Sequence, residues 1–324
     1  MQVSAVPAAD GAKGRRGPRI APNLFGVSFG LTGLADTWRA AGPVLGVPSA
    51  VPDVLFILAA AVWLILVVAY AAQGPVQLLA DLRDPVLAPF VSVAAIVAVS
   101  LATALATVAF AAGRVLVVIF LAVTLALGGW LMGQWVLLDI ANDRLHPGYF
   151  LPTVAGGFIG AIAAASVNLH GTAEACLGIS VISWLLLGST VLNRLYIHPV
   201  LPAALVPTLA IEFAPPAGVG VAYFAISHGA INAIAYALGG YTVLMAVMQL
   251  RLAPLYRRQA FSVATWAFTF SYAIVAVFAL EWITFSKPAG GRGYAAAVVA
   301  LITILVGGVG VRTIVAMARG QFLR

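Results

Sequence analysis

Charge is what this chain has least of: 8% of its 324 residues are Asp, Glu, Lys or Arg, whereas an ordinary soluble domain carries roughly a quarter. With 63% hydrophobic residues and a mean hydropathy of +1.06, a water-soluble fold could not hide the apolar surface. Cysteine is almost absent. A single Cys176 excludes a disulfide framework within the chain and any CxxC metal or redox site, and reads as a small packing residue. The four histidines, His146, His170, His198 and His228, fall near helix ends without metal spacing, which suits capping or interfacial roles. No GxSxG, Walker loop or dinucleotide fingerprint occurs, so no catalytic residue, metal site or cofactor is expected, and the chain does not read as an enzyme. The net charge of +7 comes without a basic stripe interleaved with aromatics, so nucleic acid is not an expected partner.

What the chain does have is long apolar runs, among them 54–72, 115–138 and 295–316. About 20 such residues cross the hydrocarbon core as a helix, and a lipid-embedded backbone must satisfy its own hydrogen bonds. Proline, glycine and the scarce charges divide the chain into ten spans, near 22–40, 51–72, 86–112, 114–140, 149–169, 172–194, 200–226, 229–250, 260–283 and 294–318. Short connections predict five sequential antiparallel hairpins in one all-α membrane domain over residues 21–318. Residues 1–20 read as a disordered polar tail and 319–324 as a second short tail.

Alternate loops divide the basic residues unequally. One side collects Lys13, Arg15, Arg16, Arg19, Arg83, Arg144, Arg194, Arg251, Arg257, Arg258, Arg312, Arg319 and Arg324; the other has only Arg39, Arg114, Lys287 and Arg292. Because cytoplasmic flanks carry the excess, both termini are expected in the cytoplasm of a protein of the cell's inner (plasma) membrane.

Helix breakers and hydroxyls select the odd-numbered spans. Pro22, Pro89, Pro152, Pro202, Pro207, Pro215 and Pro216 fall there. So do Ser28, Thr32, Ser92, Ser100, Thr103, Thr107, Ser166, Asn168, Thr208, Thr265, Thr269 and Ser271. Bent helices are tolerated where they line a cavity, so these spans are candidates for an inner ring around a pore, although Pro22 and Pro152 also suit plain helix entry. Each hydroxyl also has an ordinary reading, a bond to its own helix. Two GxxxG spacings, Gly26 to Gly30 and Gly156 to Gly160 with Gly157 beside it, fit either close helix packing or space for an aromatic plug.

Acidic residues inside the spans are costly and mark pathways or relays. Asp36 precedes Arg39 by three residues, which suggests a structural pair; Asp139 sits beside Asn142, Asp143 and Arg144 and suggests an interfacial cap or ion pair; Glu281 lies near a span end. Glu212, just before Phe213 and the Pro215–Pro216 break, remains as the candidate proton relay.

The strings PNLFGVSFGLTGLADTWR, HPGYFLPTVAGGFIGA, LVPTLAIEFAPPAGVGVAYFAI, ATWAFTFSYA and RGQF, in this order along the chain, resemble the TehA family of tellurite-resistance and dicarboxylate transporters, to which the plant slow-type anion channels also belong. The resemblance implies ten helices in five hairpins around a central pore, a homotrimer with a pore in each subunit, and a ninth-span phenylalanine that closes the pore against a first-span glycine. Phe270 matches that gate and Gly26 its partner, with Phe268 as the neighbouring alternative. Phe268, Ser28, Thr32, Ser92, Gly156, Gly157 and Thr208 are the candidate pore-lining residues. Asp36 departs from the family pattern, where an uncharged residue fits better. The function implied is a channel or uniporter for small anions such as chloride or nitrate in a lipid bilayer. The alternative is a proton-coupled exporter of a C4-dicarboxylate, sulfite or a tellurite-related compound.

Overall fold

A computed structural model describes residues 19–322, so most of the expected N-terminal tail and the last residues of the C-terminal one lie outside it. The described residues are helical and contain no strand. The principal helices are α1 (Phe25–Leu45), α2 (Ala50–Ala71), α3 (Pro75–Arg83), α4 (Ala88–Ala106), α5 (Phe110–Leu137) and α6 (Gly156–Ser166). They continue as α7 (His170–Ile197), α8 (Ala214–Ser227), α9 (Ala233–Arg257), α10 (Ala267–Ser286) and α11 (Gly291–Ala318).

Nine helical segments are long and apolar enough to cross a membrane among the described residues. The tenth expected span is α1. It is not among the nine, yet its 21 residues are long enough, at about 1.5 Å each, to cross the hydrocarbon core. Its neighbours explain how its polar content is tolerated: α1 is wrapped by α2, α4, α10 and α11.

Two layers result. Five hairpins pair α1 with α2, α4 with α5, α6 with α7, α8 with α9 and α10 with α11. The first member of each touches the next in a closed cycle, α1–α4–α6–α8–α10–α1. In the most apolar windows of the inner segments after α1, 56 to 89% of residues are buried, against 11 to 28% in the outer helices. The outer helices therefore present Val54, Ile65, Val118, Leu186, Leu244 and Ile304 outward, where lipid replaces water and costs such side chains nothing.

The inner spans are irregular at the end that holds both described termini, where Ile20, Leu24, Trp266 and Phe322 share one apolar cluster. There α1 is preceded by a 3-10 turn, Pro22–Leu24, α6 by Pro147–Phe150 and a π-turn at Leu151–Ala155, and α10 by Val263–Trp266. Ahead of α8 lies an eleven-residue 3-10 stretch, Ala203–Phe213, with Pro207 inside it. Such stretches rarely exceed three or four residues in ordinary helices. Pro22 opens its turn and Pro152 lies in the first positions of the π-turn, as helix-entry prolines do; Pro215 and Pro216 likewise open α8.

Helix α3 is an addition to the expected architecture. Gly74, at φ +84°, turns the chain, Pro75 starts the helix and Asp84 ends it. Its Asp81 is buried, accepting hydrogen bonds from Tyr70 Oη and Gln77 Nε2, both at 2.9 Å, and an ion pair from Arg19. Nine residues are too short to cross the membrane, so this segment caps the α2–α4 connection at the termini end.

Candidate functional site

Two cavities lie along the axis of the inner ring. The one at the termini end has a volume of about 260 Å³ and is walled largely by apolar side chains, including Phe29, Phe90, Phe158, Leu205 and Trp266. Small residues line it at helix starts: Gly26 in the first turn of α1, Ala155 just before α6, Ala214 opening α8 and Ala267 opening α10, with Leu87 just before α4. All five inner helices thus direct their N-terminal ends, the partially positive ends of their dipoles, toward one space. The cavity at the far end is about 360 Å³ and more polar, lined by Asp36, Arg39, Ser100, Thr103, Thr107, Ser166 and Glu281 among others.

Phe270 belongs to both linings, and no other residue does. Its ring lies flat against Phe29 of α1, with centroids 3.5 Å apart and planes 10° from parallel, and both residues are buried. Ring contact this close requires α1 and α10 to approach tightly, and glycine permits it. A Cβ added at Gly30 would come within 2.7 Å of Thr269 Cβ, and one at Gly33 within 2.8 Å of Ala273 Cβ and 3.2 Å of Phe270 Cδ2.

The residues singled out in the sequence divide into two groups. Gly26, Thr208 and Phe270 meet at the termini-end cavity. A Cβ on Gly26 would touch Trp266 Cβ at 3.4 Å, an ordinary contact, and would lie beyond 4 Å from the Phe270 ring, which Gly33 approaches instead. Ser28, Thr32 and Ser92 line neither cavity. They are buried and donate to Phe25 O (2.9 Å), Phe29 O (2.8 Å) and Pro89 O (2.7 Å) on their own helices. Thr208 also donates to its own backbone, at Leu205 O (2.6 Å). Gly156 and Gly157 face the outer layer, where added Cβ atoms would press on Thr124 Cγ2 at 2.9 Å and Ser180 Cβ at 2.8 Å; this is close helix packing. Phe268 points away from both cavities, edge-on to Tyr256 at 4.8 Å and beside Tyr272 at 5.9 Å.

The acidic residues also settle differently. The expected Asp36–Arg39 pair is absent among the described ion pairs. Arg39 is drawn instead to α2, where it stacks 4.2 Å over the Phe56 ring and lies 3.8 Å from Asp53. No ion pair forms around Asp139 among the described residues. Glu212 is buried with Oε1 unpartnered, but it lines neither cavity. His146 does cap: its Nδ1 accepts from Gly148 N at 3.1 Å, Nε2 faces Val86 O at 3.3 Å, and the ring stacks on Phe90. Burial pushes its pKa down to about 4, so the ring is neutral.

Sequence reasoning missed Phe29. Its signal is its position in Gly26–Phe29–Gly30–Gly33, an aromatic within a stripe of glycines at i, i+3 and i+4 spacing.

No group of His, Cys, Asp and Glu among the described residues could hold a metal ion. The architecture, a ring of broken helices around stacked axial cavities inside a lipid-facing layer, is that of a multi-pass membrane channel or transporter. Comparison with known proteins is specific: residues 19–314 match the family model SLAC1, described as a voltage-dependent anion channel, and the chain belongs to that family. It is also similar to the Tellurite resistance protein TehA homolog of Haemophilus influenzae, 27% identical over 256 residues that cover 78% of each chain.

Proposed function

We propose that this protein passes small anions, chloride and nitrate foremost, along the axis of its inner ring, and that Phe270 is the gate. The observation that carries the proposal is the place of Phe270 as the shared wall of two cavities. An aromatic constriction stops an ion by denying it hydration water, so the closed state needs no charged lock. Five helix N-terminal ends around the termini-end cavity give a positive field without buried cations, and the acids Asp36 and Glu281 stand at the opposite cavity. The donor hydroxyls read from the sequence contribute less than that field, because their hydrogens engage their own helices.

Gly26, beside Trp266 where α1 packs on α10, is part of the same passage; Gly33 is the closer partner of the ring. The unit that performs this is 21–318, in the cell's inner membrane with cytoplasmic termini, assembled as a homotrimer in which each subunit has its own path. The second reading, a proton-coupled exporter of a C4-dicarboxylate, sulfite or a tellurite-related compound, draws on the name of the Haemophilus relative and on the unpartnered Oε1 of Glu212. It is the weaker one, because Glu212 lies off both cavities.

The test is anion flux through purified protein in liposomes. Phe270→Ala is expected to raise chloride and nitrate flux well above wild type at equal incorporation; equal fluxes would remove Phe270 as the gate. A reversal potential that follows the anion gradient alone supports the channel, whereas a shift with pH at a fixed anion gradient supports the coupled carrier.

A further inference from the structure

The far cavity contains an arrangement that a passive hydrophobic gate does not require. Two carboxyl side chains, Asp36 of α1 and Glu281 of α10, and one guanidinium, Arg39 of α1, line the same 360 Å³ space. Glu281 Oε2 is shielded from solvent and has no hydrogen-bond partner, and Asp36 takes part in no hydrogen bond or ion pair among the described residues. Three of the hydroxyls that share this wall are firmly engaged, Thr103 with Val99 O (2.9 Å), Thr107 with Ala104 O (2.8 Å) and Ser166 with Ala163 O (2.7 Å), while Ser100 reaches Ile96 O at 3.4 Å. Arg39 is the cationic donor among the lining residues. Its head group is fixed from the α2 side by Phe56 and Asp53.

We infer that the far cavity is an anion-binding vestibule whose occupancy requires a proton, with Arg39 holding the anion and the Asp36–Glu281 pair setting the charge it meets. The inference rests on the reading of the chain as an anion conduit. The charge balance is direct. With both carboxylates ionised, Arg39, Asp36 and Glu281 sum to one negative charge, the Asp53 partner of Arg39 adds a second, and the site repels an anion. Each proton taken up by the pair removes one negative charge, and two bring the four groups to zero, so that the guanidinium is no longer outweighed. Asp36, Arg39 and Glu281 line one space, so each lies in the field of the other two. Asp53 of α2 lies outside the lining and pairs with Arg39. Residues from α4, α6 and α8 on this wall are hydroxyl or apolar, and Lys287, Arg292, Arg114, Glu174, His170 and His228 are not part of it. Proton uptake thus occurs at the pair beside Arg39.

Two measurements test this. In planar bilayers containing the Phe270→Ala protein, acidifying the chamber on the far-cavity side is expected to raise chloride current roughly tenfold, while acidifying the other chamber has little effect. In that background Glu281→Gln, and independently Asp36→Asn, should give high current already at alkaline pH and a flattened pH profile, and Arg39→Gln should lower current throughout. Profiles unchanged by both carboxyl substitutions would overturn the inference, as would indifference to pH in both chambers. The second measurement needs no conduction: nitrate titrated calorimetrically into solubilised wild-type protein in buffers of different ionisation enthalpy. Binding is expected to take up a proton, and the uptake is expected to shrink in Glu281→Gln. Proton-linked nitrate binding in a protein whose Phe270→Ala form does not conduct would retire the gate and keep the vestibule; nitrate binding without proton uptake, or no binding, would retire the vestibule.

Discussion

Phe29 and Phe270 face each other with ring centroids 3.5 Å apart, and the second of these rings stands between the two axial cavities. The stack makes the ring of α10 depend on a residue of α1. A gate built this way is held by its neighbour as well as by its own rotamer.

Phe29→Ala is therefore expected to raise anion flux in liposomes, to a smaller extent than Phe270→Ala, and the double substitution should exceed Phe270→Ala little, because both remove the same obstruction. The truncation also empties a buried site and should lower stability by about 3 kcal/mol or more. Flux through Phe29→Ala equal to wild type at equal incorporation would show that the stack does not hold the ring.

Gly33→Ala and Gly26→Ala separate packing from passage. At Gly33 the new methyl meets Ala273 and Phe270 at 2.8 and 3.2 Å, so α1 and α10 must separate, at a cost of about 1–3 kcal/mol. At Gly26 the contact with Trp266 is 3.4 Å, and the melting temperature should stay near wild type. Thermal unfolding of the two proteins in one detergent checks the contrast.

Asp81→Ala removes the acceptor shared by Tyr70, Gln77 and Arg19 beneath α3. Breaking a buried ion pair from one side costs about 3–5 kcal/mol, reduced here because Arg19 is half exposed. The loss is local, so hydrogen exchange across residues 74–84 should accelerate while that of α6 and α8 does not. Uniform protection in the variant would mean that α3 is held by its apolar side chains alone.

His146 predicts a pH step. Its folded pKa of about 4 lies below the unfolded value near 6.5, so the unfolded chain binds the extra proton between them. The stability from its neutral form is complete above pH 6.5 and is lost as pH falls toward 4. The loss amounts to about 2 kcal/mol at pH 5. Melting of wild type and His146→Gln at neutral and mildly acidic pH measures it: the substitution should remove that share of the drop, and identical drops would assign the step to other groups.

The sequence by itself determined the class. Low charge and long apolar runs admit only a helical membrane domain, and the placement of proline and of most hydroxyls favours the inner spans, whereas glycine is spread over both layers. These are properties of composition and order, fixed by the rule that lipid offers the backbone no hydrogen bonds. Helix α3 escaped because nine residues with mixed polarity carry no spanning signal. What tertiary structure alone decided is which side chains share a space. Ser28, Thr32 and Ser92 lie on the chosen spans yet bond their own helices, Gly156 and Gly157 face outward, and Arg39 leaves Asp36 for Phe56 and Asp53. Helical spacing tells which residues share a stripe, but the rotation of each helix in the ring is set by packing across it. That is also why Phe29, ordinary in the sequence, is the residue laid against Phe270.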